Sequence, residues 1–186
     1  ALQQFHDLNG GHSFKDLNAA TVVLIPKAPD PSDIGHYRPI SLVHSFAKLI
    51  AKILSLRLAP KLGSLISPAQ SAFLKTRCIH DSFLFVRNAA RSLHRRKKSA
   101  LLFKMDIAKA FDSISWEYLL ELLQKLGFSA RWRDWIALLL QSSSSAVLLN
   151  GVEGELIDHH RGLRQGDPLS PFLFILAIDM LQRILD

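Results

Sequence analysis

"LLFKMDIAKAFDSISWEYLLELLQKLGF", residues 101–128, changes its hydrophobic period once. From Ala100 to Ile107 the chain is almost wholly apolar and reads as a largely buried strand, with Asp106 where the apolar run stops. After a turn, Trp116, Leu119, Leu120, Leu123 and Leu126 recur at helical spacing. Ser115 opens that helix, Lys125 lies in its last turn and Gly127 stands at the stop position. A strand that delivers an acid to its carboxyl end, followed by a helix, is a mixed unit.

Upstream, "TVVLIPK" (21–27) is β-branched and predicts a strand, and "APDPSDIGHYRP" (28–39) predicts a loop. From Ser45, the residues Phe46, Leu49, Ile50, Ile53, Leu54 and Leu58 predict a helix that stops near Pro60. Lys48, Lys52 and Arg57 fall largely off its apolar stripe. Asp81 is placed to cap a further helix with Phe83, Val86, Ala90 and Leu93 inside, before the basic run "HRRKK" (94–98). Downstream, Trp132, Trp135, Ile136 and Leu139 predict a helix from about Ala130. Asn150-Gly151 between strand-like runs predicts a hairpin, and "FLFILAIDMLQRILD" (172–186) predicts a long apolar helix. No internal repeat or flexible linker interrupts this order. Strands and helices are mixed rather than regularly alternating, so the expected class is α+β.

Composition bounds the function. With 186 residues and 48% hydrophobic content the chain can bury a core and form one domain, or one and part of another. Its formal charge of +7 favours a polyanionic partner, although "HRRKK" also reads as a solvated loop. The single cysteine, Cys78, excludes a disulfide scaffold and a cysteine-based zinc site and fits a reducing, intracellular compartment, nucleus or cytoplasm alike. The longest apolar runs, such as "FLFILAI" (172–178), are too short to span a bilayer, so no membrane partner is expected. The first residue is not methionine, and the expectation is a fragment or a processed product.

Two acids stand near the period change. Asp106 reads either as a strand-end acid satisfied by an amide or by Lys104, or as a cleft carboxylate that suits magnesium and phosphates. Asp112 reads as a turn or capping residue ahead of Ser115. The intervening "IAKAF" must leave the strand and turn, so spacing alone does not establish a shared two-carboxylate site. His159 and His160 are adjacent on a predicted strand and are expected to point to opposite faces, which excludes a two-ligand metal site.

"KMDIAKAFDSI" (104–114) resembles the first catalytic motif of reverse transcriptases of non-LTR, LINE-type retrotransposons, with a likeness to plant-type elements. "LIPK" with "YRPISL" (24–27 and 37–42), "QSAFLKTRCIHD" (70–81), "WEYLLELLQKLGF" (116–128) and "GLRQGDPLSPFLFIL" (162–176) follow the same family's order. The resemblance implies a right-hand polymerase with helices packed on a small antiparallel sheet. Residues 1–20 would be an N-terminal flank and 21–186 the reverse transcriptase domain, with fingers over about 21–100 and a partial palm over about 101–186. It implies Asp106 as the catalytic, metal-binding acid, the Ile107 carbonyl as a further metal ligand, and two Mg2+ ions in the intact parent.

Phe111 then matches the aromatic residue that closes on the incoming sugar. Gln165 and Gly166 match the loop beside the nascent base pair, where Asp167 departs from the small or apolar residue expected. Arg38 and Lys27 resemble the basic residues that meet the triphosphate, and Arg77 one near the template, although "KTRC" lacks the glycine expected before the arginine. Lys48, Lys52 and Arg57 would contact phosphates or solvent. The implied partners are an RNA template, a DNA primer and deoxynucleoside triphosphates. The family's second catalytic motif, paired aspartates on a tight hairpin, is not found up to Asp186, and neither Asp179 nor Asp186 replaces it. The 186 residues alone are therefore expected not to polymerise DNA. The competing expectation is a truncated, inactive relic that at most binds nucleic acid.

Overall fold

Ser115 caps a helix as its sequence predicts: its Oγ accepts the Tyr118 amide of α5 (Trp116–Lys125). At the other end Gly127, at φ +82°, lets Phe128 donate to the Leu123 carbonyl and Gly127 to that of Gln124, a Schellman stop. The computed structural model describes residues 2–7, 12–74 and 77–185. Positions 75 and 76 of the "KTRC" motif and Asp186 lie outside them.

The elements before α5 are α1 (Leu2–His6), α2 (His12–Leu17), β1 (Ala19–Pro26), β2 (Tyr37–Val43), α3 (Ser45–Leu65) and α4 (Ile79–Arg95). After it come α6 (Ala130–Gln141), β3 (Ser144–Leu149), β4 (Val152–Glu153), β5 (Ile157–Asp158) and α7 (Ser170–Leu185). The class is α+β, but the sheet is mixed rather than antiparallel. β1 pairs antiparallel with β2 and parallel with β3, which pairs antiparallel with β4 and β5. Helices α3 to α6 lie between β1 and β3 in the chain, a connection long enough to return the strand in the same direction. The core gathers Ile50, Leu54, Leu58 and Leu62 of α3, Leu119 and Leu123 of α5, Ile136 of α6 and Leu173 and Leu176 of α7. Phe5 and Phe14 from the N-terminal helices join it.

Four local expectations are corrected. Residues 101–107 form no strand; Leu101 is 91% exposed and Phe103 75%. Apolar content can suggest a strand, but a ladder needs a partner, and none lies beside this segment among the described residues. α4 starts after Cys78, with Asp81 inside its first turn rather than at the cap, and none of its residues is buried, Phe83, Val86, Ala90 and Leu93 included. Pro60 lies within α3 instead of ending it. The proline cannot donate to the Leu56 carbonyl, but Leu56 is on the exposed face, and Leu62 and Ile66 beyond the proline are buried. Finally, Tyr37–Pro39 belong to β2 rather than to a loop, zipped against Leu24–Pro26. The Asn150-Gly151 hairpin forms as expected, both residues having positive φ. No helix among the described residues is long and apolar enough to cross a membrane.

Candidate active site

The turn after the exposed segment and the loop before α7 are bound to each other through their backbones. Lys109, at φ +50°, turns the chain, and its carbonyl accepts the amides of Asp112 and Ser113. The Leu163 amide then donates to the Phe111 carbonyl and the Gly162 amide to that of Ile114, both at 2.8 Å. Trp116 Nε1 donates to the Gly162 carbonyl at 2.7 Å. The approach is so close that a Cβ on Gly162 would stand 2.9 Å from the Asp112 backbone.

A third element meets this loop: the Ser41 amide of β2 donates to the Gln165 carbonyl at 3.2 Å. Gly166, at φ +98°, passes the Ser41 carbonyl where an added Cβ would stand 3.3 Å away. A cleft of about 500 Å³ opens beside the junction, lined by Ser41, Asp112, Ser145, His159, Arg161 and Gln165 among others. His160 lines it too, contrary to the opposite-face expectation, because β5 ends at Asp158 and the chain bends before alternation can apply.

His159 sits between two hydroxyls, its Nδ1 3.3 Å from Ser143 Oγ and its Nε2 against Ser145 Oγ. Burial holds its pKa below the usual histidine value, and nearby Arg164 adds to the effect. Asp167 Oδ1 accepts the Leu169 and Ser170 amides at 2.8 and 3.1 Å, capping α7. Burial raises its pKa, and those amides and Arg164 partly offset the rise. Asp167 thus serves the start of the helix.

Gln165 and Asp112 come together in the cleft, whereas Gly166, next in the chain, is exposed and does not line it. Asp106 and Ile107 do not line it; both are exposed on the irregular segment, and Asp106 has no hydrogen-bond partner among the described residues. Phe111 stacks on Phe174 of α7, centroids 4.4 Å apart, so its ring covers the core edge. Lys27 Nζ donates to the Gly35 carbonyl at 2.7 Å, and Arg38 is exposed on β2. Arg77 bonds the carbonyls of Ser67 and Gln70 and holds that loop. Arg57 lies over Trp132 and Trp135, 5.5 and 5.6 Å from their centroids, while Lys48 and Lys52 are exposed. Asp179 is buried and accepts from the Ser67 amide and Arg183, a structural duty.

The oxygen donors that Asp106 and Ile107 offer suit magnesium in type. In number they are too few for a cage, and no group of three His, Cys, Asp or Glu side chains among the described residues could hold a metal ion. Asn18, Gly162 and Arg164 are site residues that the sequence does not single out, and Trp116, legible as a helix-face residue, gains its bond to Gly162 only in the fold. "GLRQGDPLSPFLFIL" marks Gly162 and Arg164 only as members of a motif, and a buried asparagine in a polar-looking flank carries no pattern.

The reverse transcriptase (RNA-dependent DNA polymerase) family matches residues 25–186, and the chain belongs to it. Its relatives place it among the non-LTR retrotransposon members. It is 33% identical over 160 residues to the transposon TX1 uncharacterized 149 kDa protein of Xenopus laevis, covering 86% of this chain and 12% of that protein. It is 30% identical over 179 residues to the retrovirus-related Pol polyprotein from type-1 retrotransposable element R2 of Popillia japonica, covering 96% and 25%. With the Pol polyprotein from type-2 retrotransposable element R2DM of Drosophila melanogaster it shares 31% over 169 residues, covering 91% and 16%. The chain thus spans a quarter or less of the length of these relatives.

Proposed function

We propose that the chain supplies the fingers, over about 21–100, and part of the palm, over about 101–186, of the RNA-directed DNA polymerase of a non-LTR retrotransposon with plant-type motifs. The observation that carries this reading is the junction itself: Gly162 and Leu163 bonded to the 111–114 turn, with Gln165 facing the cleft beside Asp112. Segments far apart in the chain are held as one surface, as a template-directed enzyme needs at its nascent base pair. The partners are an RNA template, a DNA primer and deoxynucleoside triphosphates.

Asp106 and the Ile107 carbonyl would hold Mg2+, which when bound supplies charge neutralisation at the reacting phosphates. Gln165 hydrogen-bonds the sugar or base, and Gly166 keeps the backbone close. Lys27 and Arg38 neutralise the triphosphate, and Lys48, Lys52, Arg57 and Arg77 carry the nucleic acid. Phe111, stacked as it is on Phe174, excludes a ribose hydroxyl only after its ring turns toward the sugar. With Asp106 as its single carboxylate the metal site is underpopulated, so the chain alone binds a template–primer without extending it.

Primer extension on an RNA template with Mg2+ and deoxynucleotides tests this directly. The expected result is no extension. Extension that Asp106→Ala abolishes would contradict the inactivity of the chain while supporting the role of the acid.

A further inference from the structure

The loop that carries Gln165 is anchored from an unexpected quarter. Arg164 turns inward from it, and its guanidinium is largely buried. Nη1 donates to Asn18 Oδ1 at 2.8 Å, and Nη2 donates to the Asn18 backbone carbonyl and, at 3.0 Å, to that of Ser144. Asn18 is itself buried, 2% exposed. Its Nδ2 donates to the Leu139 carbonyl at 2.7 Å and to Ser142 Oγ at 2.8 Å. One asparagine therefore joins the end of α6, the approach to β1 and the Gln165 loop. Burial brings the Arg164 pKa down to about 10, which leaves the guanidinium charged at neutral pH and in need of these oxygens.

We propose that Asn18 is a positioning residue for the Gln165–Gly166 loop, acting through Arg164. It lies before residue 25, where the family match begins. The stretch read as a flank then contributes to the nucleotide-binding surface without touching nucleotide. What the loop does rests on the polymerase reading; how it is held does not.

The alternative is that Asn18 merely stabilises the fold. A merely stabilising residue, when lost, lowers protection everywhere together; a positioning residue, when lost, opens the loop first. The chain can be tested as Asn18→Ala, with Arg164→Lys as a second variant that keeps the charge and loses the fork, so that misfolding of one does not end the test. Amide hydrogen exchange would follow Ser41, Gly162 and Leu163 at the loop against Leu119–Leu123 of α5.

In both variants the loop amides should exchange about tenfold faster or more, with α5 unchanged. A chain-terminated primer on RNA gives the second readout, as the gain in affinity with matched over mismatched deoxynucleotide. That gain should fall about tenfold, with affinity for template–primer alone retained. Loop amides that keep the wild-type rate, or that change only in step with α5, would overturn the proposal. So would an opened loop with an unchanged nucleotide preference. If the wild-type chain shows no nucleotide preference at all, the polymerase reading of the loop fails, and the exchange rates still decide whether Asn18 positions it.

Discussion

Gly162 has no room for a side chain: a Cβ would press on the Asp112 backbone at 2.9 Å, and φ is +82°. Gly162→Ala should lower stability by about 2–4 kcal/mol, read by urea denaturation, because neither backbone can yield without breaking the junction. Gly63→Ala is the matched control. Open space surrounds that helical position, and a gain of about 0.5–1 kcal/mol is expected there. His159 gives the pH dependence. Its folded pKa lies below the ordinary histidine value of 6.5, so the unfolded chain takes up the proton first, and stability falls as pH drops below 6.5 toward the folded pKa. Thermal melts over that range should show the slope in the wild type and a shallower one in His159→Gln. At this scale the sequence pointed to Gln165, Gly166 and Asp106 through motifs. It could not point to Gly162 or Asn18, whose roles depend on neighbours far away in the chain.

The ends of α5 and the hairpin turn are legible, because each rests on a bond between residues a few positions apart, whereas the expected Asp81 cap and Pro60 stop do not form. Ser115, Gly127 and the Asn150-Gly151 turn all behave as their types dictate. Asp167 is a cap that only the structure shows, and Asp167→Ala should cost about 1–2 kcal/mol in chemical denaturation by leaving the Leu169 and Ser170 amides unpaired. The misread elements fail for the opposite reason. The 101–107 segment and the apolar face of α4 have compositions that suit burial, yet burial is a property of what packs against them. Pro60 shows a local rule losing to packing further along the same helix.

Across the whole molecule, a mixed sheet and a helical core hold two distant motif segments as one surface, with the exposed acid Asp106 beyond it. Class and motif order were readable from the sequence; the parallel β1–β3 pairing was not, because it is set by how the long helical connection closes. On the reading proposed above, this surface is built for a template–primer. Fluorescence anisotropy of a labelled RNA–DNA template–primer, titrated with the 186-residue chain at rising salt, is the decisive measurement. The expected result is saturable binding that weakens steeply with salt, as phosphate contacts by lysine and arginine require, and that drops further when Lys48 and Lys52 are replaced by glutamine. Binding that is absent at low salt, or indifferent to both salt and those lysines, would contradict it.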